Sequence, residues 1–446
     1  MKTPIVEFVK NYSESDSARF HMPGHKGKEH LGCESLDITE IAGADCLYSA
    51  DGIIRESEDN ASSLFGTAHS FYSAEGSTLA IKAMLALVTE ADRAGSKRPI
   101  IVAARNAHKA FINACALLDL DVCWIYPTTA DHPCACHITP NEVERAIKNS
   151  ATKPSAVYIT SPDYLGGLCD VGAISKLCKK HSIPLCVDNA HGAYLKFLSP
   201  SLHPIDLGAD LCCDSAHKTL PALTGGAYLH VSISAKAEYL ERARDYLSLF
   251  SSTSPSYLIL QSLDLCNKYL SEGYPEVLGE FAKRLDRLKA DVTVMGFDVL
   301  DTEPLKLVIN ANASGYRGCE LAEMLSRKGI ETEFSDDKYT VLMATPDNTE
   351  GELDKLAASL CGITHKAAII STPPKAPIAE QAVSIREAML SPTETVAIRD
   401  AQGRICGTPA VSCPPAVPII ISGERVSGDV IEQLEFYGTE YIKVIK

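Results

Sequence analysis

The stretch DSAHKTLPALTGGAYLH, residues 214–230, brings Ser215, His217 and Lys218 together directly after an apolar run. A lysine at the end of a buried strand is costly unless it is solvated or bonded, and one that condenses with an aldehyde cofactor meets that need and gains reactivity. A surface-loop lysine beside a Gly-Gly turn would give the same string. Earlier in the chain, IPLCVDNAHGAYL places Asp188 after another apolar run. A carboxylate there could pair with a protonated pyridine nitrogen and keep the ring an electron sink, with Ala190 leaving room for the ring. An aspartate capping a following helix is the plainer alternative. In SAEGSTLAI, Gly76, Ser77 and Thr78 open a helix. Backbone N–H groups, hydroxyls and the helix dipole make an anion site there, suited to a phosphate, although Ser and Thr are also ordinary helix caps. In ARNAHKAF, His108 starts a helix just after a strand. An imidazole in that position could stack on an aromatic cofactor and carry protons, or simply be a partly exposed helix-start residue.

Phosphate cradle, ring-stacking histidine, acidic partner and lysine follow one another along a stretch where strands and helices alternate. The pattern predicts helices over 76–91, 108–118 and 171–180, and strands over 99–104, 122–126, 156–160, 185–188, 211–214 and 227–231. A capping box with proline at the first helical position starts another helix at Thr139. The strands are short and apolar without strict alternation, as in parallel sheets covered on both faces, so the fold class is α/β. Strand ends in such sheets open onto the ligand crevice, which puts all four stretches on one edge. Residues 234–290 read as mostly helical. Residues 292–365 read as a smaller α+β region, strand-helix-strand-strand-helix, closing with a capping box at Thr349. STPPKAP, residues 371–377, is a linker by composition. CPPAVPIIISGERV reads as a Pro-bounded strand, with a helix from about Asp429. The division expected is an N-terminal arm (1–50), a large domain (51–270), a small α+β domain (271–370) and a C-terminal domain (371–446).

The 446 residues carry a formal net charge of -15, with 46% hydrophobic and 22% charged residues. The length suits two or three domains and the composition a large core. An acidic chain is poorly suited to nucleic acid or anionic membranes, and mildly favours approach of a cationic substrate. No run approaches the ~18 apolar residues of a membrane span, and the N-terminus has no signal-peptide core, so a cytoplasmic protein is expected. The 16 cysteines include no C-x-x-C pair and read as free thiols. The cluster DHPCACH, with His132, Cys134, Cys136 and His137, has spacing too tight for a usual zinc site, and no metal is expected.

The strings FHMPGHKG (20–27), SAEGST, RNAHK, VDNAHGAY, SAHKTLPALTGGAYLH, SSTSPSYLIL (251–260) and PPAVPIIISGE together resemble the ornithine/lysine/arginine decarboxylases of aminotransferase-like fold (fold type I), which use pyridoxal 5'-phosphate. The resemblance covers nearly the whole chain, and HMPGHKG and SAHKTLPALT are its specific motifs. It is closest in character to the shorter Gram-positive members. The chain begins almost at the HMPGHKG arm, so neither the N-terminal wing of the longer enzymes nor the decamers that wing supports are expected. The resemblance implies that Lys218 is the Schiff-base lysine, that Asp188 binds the pyridine nitrogen, and that His108 stacks on the ring. It implies that Gly76, Ser77, Thr78, Ser215 and His217 surround the phosphate, with Ala190 and His191 beside the cofactor. Thr253 would reach the phosphate of a neighbouring subunit across a homodimer interface near the HMPGHKG arm. Two strings depart from the family pattern. PDYLGG (162–167) stands where a Thr-Tyr-Tyr-Gly-like string is usual, which affects contacts at Leu165. The segment from Pro414 to Pro418 replaces PPGIP.

The activity implied is decarboxylation of a basic amino acid, with Lys218 or His108 returning a proton to Cα. By family analogy alone the order of substrates is arginine to agmatine, lysine to cadaverine, then ornithine to putrescine, in polyamine-related metabolism. An aminotransferase or carbon–sulfur lyase of the same fold would keep the same cofactor residues. A non-catalytic regulatory homologue would not need the intact lysine, aspartate and histidine set.

Overall fold

The computed structural model describes residues 1–95, 98–126, 132–135, 137–370, 373–374, 378–409 and 416–446. In chain order its strands are β1 (His69–Ser73), β2 (Ile100–Ala104), β3 (Asp121–Ile125), β4 (Ala156–Thr160), β5 (Leu185–Asp188), β6 (Leu211–Asp214), β7 (Ala227–Val231), β8 (Asp298–Val299), β9 (Lys306–Asn310), β10 (Phe334–Ser335), β11 (Tyr339–Met343), β12 (Thr393–Ala397) and β13 (Tyr441–Ile445). The chain forms two compact units. One comprises residues 1–97, 154–161 and 170–276, and the other residues 98–153, 162–169 and 277–446.

In the first unit the strands lie in the order β1-β7-β6-β5-β4. The pairs β4–β5 and β5–β6 are parallel, while β7 runs antiparallel to both β6 and β1. Every residue of β5, β6 and β7 is buried, which removes the alternation a half-exposed strand would show. The helix Gly76–Ala94 packs against β6, β7 and the helix Ala237–Phe250. It buries all but one of the residues from Leu79 to Thr89, a far wider face than a single apolar stripe. The short helix Pro4–Ser13 and the helix Ile53–Phe65 pack on each other and on the helix Tyr257–Ser271.

The second unit contains the parallel pair β2–β3, the sheet β10-β11-β9-β8 and the antiparallel pair β12–β13. With three of its pairings parallel and helices between the strands, the chain is α/β, as its sequence pattern predicts. The capping boxes at Thr139 and Thr349 are both formed. His108 precedes the helix Lys109–Leu118 and caps it, with Nδ1 accepting the Ala110 N–H at 3.1 Å. Between 292 and 365 there is one strand more than the pattern suggests, since β8 has only two residues and leaves no periodic trace.

The expected strand around Pro418 is a correction. Cys413 to Pro415 lie outside the described residues. From Ala416 onward the segment makes no ladder, only isolated bridges such as Ile405 with Arg425. Proline offers no N–H to a ladder. The carbonyls of Pro418 and Ile419 are instead taken by the Arg105 guanidinium, each at 2.9 Å, and Arg105 also pairs with Glu424 at 3.3 Å. The helix expected from about Asp429 is present as Gly428–Phe436. Of the linker STPPKAP, only Pro373 and Pro374 are among the described residues.

Candidate active site

Asp188 is the last residue of β5 and is 2% exposed. No helix follows it directly: the next helical turn, Ala193–Phe197, starts from Gly192. The reading as a helix cap is therefore wrong. Instead, Oδ1 accepts the Ala190 N–H at 3.2 Å and Oδ2 accepts the Tyr158 hydroxyl at 3.0 Å. The turn that folds back on the carboxylate carries Ala190 and His191, both buried.

The neighbouring strand β6 ends at Asp214, and its register sets Cys213 against Asp188. The chain then enters a single helical turn, Ala216–Thr219, that holds Lys218. Lys218 is half-buried, and its Nζ lies 3.0 Å from Nε2 of His191. It is therefore no surface-loop lysine. Ser215, at the start of this turn, donates to the Ser77 hydroxyl at 2.8 Å, joining the lysine turn to the opening of the helix Gly76–Ala94. Gly76 sits at φ +69°, left-handed backbone that glycine adopts without strain, and its N–H donates to Gly225 at 2.7 Å. Glu75, before it, gives the helix no side-chain cap. The first N–H groups of a long helix are thus left to other acceptors. His217 lies beside Gly76, with Nδ1 bonded to the Gly226 carbonyl at 2.9 Å. Burial pushes the His217 imidazole below its ordinary pKa, against the pull of that carbonyl, and the Lys218 charge lowers it further.

The structure therefore ties Ser77, Ser215, His217 and Gly76 together, sets Lys218 on His191, and places Asp188 at the adjoining strand end. Thr78 is exposed in the first turn of its helix. Thr253 is exposed and lines a cavity of about 210 Å³ with Met22, Pro23 and residues 37–40. The backbone turn before it is anchored where Ser252 N–H donates to Glu75 at 2.6 Å. His108 belongs to the second unit. Of the DHPCACH cluster, Asp131 and Cys136 lie outside the described residues. His132 is engaged at both nitrogens, with Asp336 at 2.6 Å and the Cys134 N–H at 3.2 Å.

The motifs leave out several residues around the strand ends. Tyr158 and Cys213 both reach Asp188, and the period-2 alternation of β4 and β6 could have pointed to them once the register was known. Asp214 is a buried hub. It accepts from Nε2 of His203 at 3.0 Å, from Nε2 of His230 at 3.2 Å, and from the Asn189 amide at 2.8 Å. Burial alone would raise its pKa, but His203 and His230 hold it well below the usual carboxylate range. These three residues are of metal-ligating type and close together. However, the Ile205 N–H donates to Nδ1 of His203, so Nε2 carries the hydrogen and acts as a donor rather than a ligand. The hub ties Asn189, the residue after Asp188, to the residue before Ser215.

These residues fit pyridoxal phosphate. The helix at Gly76 is uncapped and flanked by the Ser77 and Ser215 hydroxyls, as an anion requires. The amine and the buried carboxylate sit on adjoining strand ends. Thr219 Oγ1 and Asn189 Oδ1, both buried beside them, have no protein partner among the described residues.

The solved lysine decarboxylase of Francisella novicida covers 100% of this chain, and 81% of its own chain is matched, with a TM-score of 0.82 at 16% identity. The chain thus has the fold of that lysine decarboxylase, the aminotransferase-like fold type I. Residues 3–292 match the model of the Orn/Lys/Arg decarboxylase major domain, and residues 364–441 that of the Orn/Lys/Arg decarboxylase C-terminal domain. The chain belongs to the Orn/Lys/Arg decarboxylase family and is a decarboxylase. Among its relatives are an arginine decarboxylase of Bacillus subtilis (strain 168), 27% identical over 97% of this chain and 93% of the relative. Another arginine decarboxylase, from Halalkalibacterium halodurans, is 29% identical over 96% and 91%.

Proposed function

We propose that the chain is a pyridoxal-phosphate enzyme that removes the α-carboxylate of a basic amino acid, arginine first, then lysine, then ornithine. The observation that carries the reading is the pairing of two strand ends: Lys218 on His191 after β6, and buried Asp188 closing β5. The relatives named arginine decarboxylase support arginine over the other two.

When bound, the cofactor supplies a conjugated, protonated ring that takes up the electron pair left as carbon dioxide departs. The chain's own residues do the rest. Lys218 would offer the amine that holds the cofactor through its aldehyde carbon, and would be left free as a base once substrate is bound. Asp188 keeps a proton on the ring nitrogen. Gly76, Ser77, Thr78, Ser215 and His217 hold the phosphate, and the small Ala190 side chain leaves room for the ring. By the family resemblance His108 would stack on the ring, His191 orients the lysine, and Lys218 or His108 would return a proton to Cα. Thr253 completes the phosphate site of a second copy in a homodimer. The amine released feeds polyamine formation in the cytoplasm; no helix among the described residues is long and apolar enough to cross a membrane.

The test is carbon dioxide and amine release from arginine, lysine and ornithine by purified holoenzyme. Agmatine as the main product from equal mixtures is expected. Release of a keto acid without carbon dioxide would reject the decarboxylase reading of the site, and a preference for lysine or ornithine would reject the substrate order.

A further inference from the structure

Asp188 is almost sealed from water, yet three donors point at it. The Tyr158 hydroxyl lies 3.0 Å from Oδ2, and the Ala190 N–H and the Cys213 thiol lie 3.2 and 3.6 Å from Oδ1. Tyr158 and Cys213 come from the strands on either side of β5. Register partners in a parallel ladder share a face, as do residues two apart on one strand. Asp188 is in register with Cys213 on β6 and with Thr160 on β4, and Tyr158 precedes Thr160 by two. The sheet itself therefore delivers both groups to the carboxylate. Tyr158 and Cys213 are fully buried. Burial, then the Asp188 charge, pushes the phenol and the thiol well above their ordinary values, so both keep their protons and act as donors.

With cofactor bound and Asp188 facing its ring nitrogen, as proposed above, a single proton would lie between two bases, carboxylate and pyridine. Hydrogen bonds donated to a carboxylate stabilise its ionised form and weaken its hold on a proton. Each donor at Asp188 therefore moves the shared proton towards nitrogen, where it makes the ring a stronger electron sink. We infer that Tyr158 and Cys213 are positioning residues for the decarboxylation, holding the shared proton on the ring nitrogen by donating to Asp188. The inference rests on the reading of Asp188 given above. Tyr158 carries the larger share, because O–H is a better donor than S–H.

The experiment uses holoenzyme loaded with pyridoxal phosphate carrying ¹⁵N in the ring, whose chemical shift separates protonated from neutral nitrogen. Asp188→Asn is the control: it must move the signal to the neutral position, and if it does not, the assignment of Asp188 itself fails. With that control in place, Tyr158→Phe is expected to move the signal part of the way. It should lower kcat about tenfold, the scale of one hydrogen bond to a charged group, with little change in KM. Cys213→Ala should give a smaller shift in the same direction, and Cys213→Ser should keep the wild-type signal because the hydroxyl replaces the thiol as donor. Near-ultraviolet circular dichroism checks that each variant is folded; should Tyr158→Phe fail to fold, the contrast between Cys213→Ala and Cys213→Ser decides. A wild-type shift in folded, loaded Tyr158→Phe, or identical shifts for both Cys213 variants in its absence, overturns the inference and leaves Asp188 in its role.

Discussion

Lys218 owes its position to three neighbours rather than to a long helix or strand: the end of β6, the Ser215 contact with Ser77, and His191 at 3.0 Å. Removing its side chain should leave the fold unchanged, since the four-residue turn around it buries only Ala216 and Thr219. Lys218→Ala is therefore expected to unfold at nearly the wild-type temperature while losing turnover and the visible absorption of the bound cofactor. Borohydride reduction of the wild type followed by peptide mapping should mark Lys218. A mark on Lys109 or Lys26 would reject the assignment. Residues of this kind are legible in a sequence because a reactive group directly after an apolar run contradicts simple burial. Tyr158 is not legible in that way. A tyrosine inside an apolar strand looks like core, and only the register of β4 on β5 shows what its hydroxyl meets. The same holds for Asp214, whose partners His203 and His230 are separated from it by 11 and 16 residues.

At the scale of elements, β4 to β7 are readable because full burial turns them into short apolar runs bounded by polar turns. β8 is too short to read. The segment after Pro415 is apolar enough to mimic a strand, yet its carbonyls belong to Arg105. Two elements carry predictions of their own. Gly76 opens its helix at φ +69°, where a Cβ would meet only His217 at 3.9 Å. The site has space for alanine but the backbone does not favour it, a cost of about 1–2 kcal/mol. Gly76→Ala should lower the unfolding temperature and weaken cofactor retention together, measured by thermal melts and by dialysis against buffer without cofactor; unchanged retention would remove Gly76 from the phosphate site. The second element is the N-terminal helix Pro4–Ser13, which has no side-chain cap of its own. Asp264 supplies one from afar: Oδ2 accepts the N–H groups of Ile5 and Val6 at 3.0 and 3.1 Å, and Oδ1 accepts the Ser57 hydroxyl at 2.6 Å. Burial outweighs these donors and pushes the Asp264 carboxyl up to about 6. The folded state thus binds a proton that the unfolded chain, with an ordinary carboxyl, has already lost. The contribution to stability is fully present below the ordinary carboxylate range and is lost as pH rises through about 6. Asp264→Asn, whose oxygen can accept the two N–H groups while its amide nitrogen donates to Ser57 Oγ, carries no charge and should therefore gain stability relative to wild type between pH 5 and 7, as read by urea unfolding at each pH. A difference that does not change with pH would reject this account.

The whole molecule raises the question of what covers the exposed apolar side chains between residues 20 and 36. Phe20 is 97% exposed and Leu31 85%, with Met22 and Leu36 also exposed on the same arm. Apolar side chains gathered on one segment mark an interaction surface more often than a free one. Met22 and Pro23 line one cavity with Thr253, so the arm and the TSPSY turn present a joint face. A second copy of the chain is the partner that the proposed homodimer supplies, and a C2 interface presents each residue twice, building two equivalent sites at once. If Thr253 of one copy completes the phosphate site of the other, two inactive proteins can make an active one. Lys218→Ala and a bulky replacement, Thr253→Trp, are each expected to be strongly impaired alone. After mixing and subunit exchange, one site of each heterodimer combines an intact Lys218 with an intact Thr253, and the other site carries both defects. Random pairing makes half of the dimers mixed and repairs one of their two sites, so about a quarter of the wild-type specific activity should return. Exchange is followed independently by native mass spectrometry of differently tagged subunits. Confirmed exchange without recovered activity would reject the role of Thr253, and an active species with monomer mass in light scattering would reject the shared site altogether.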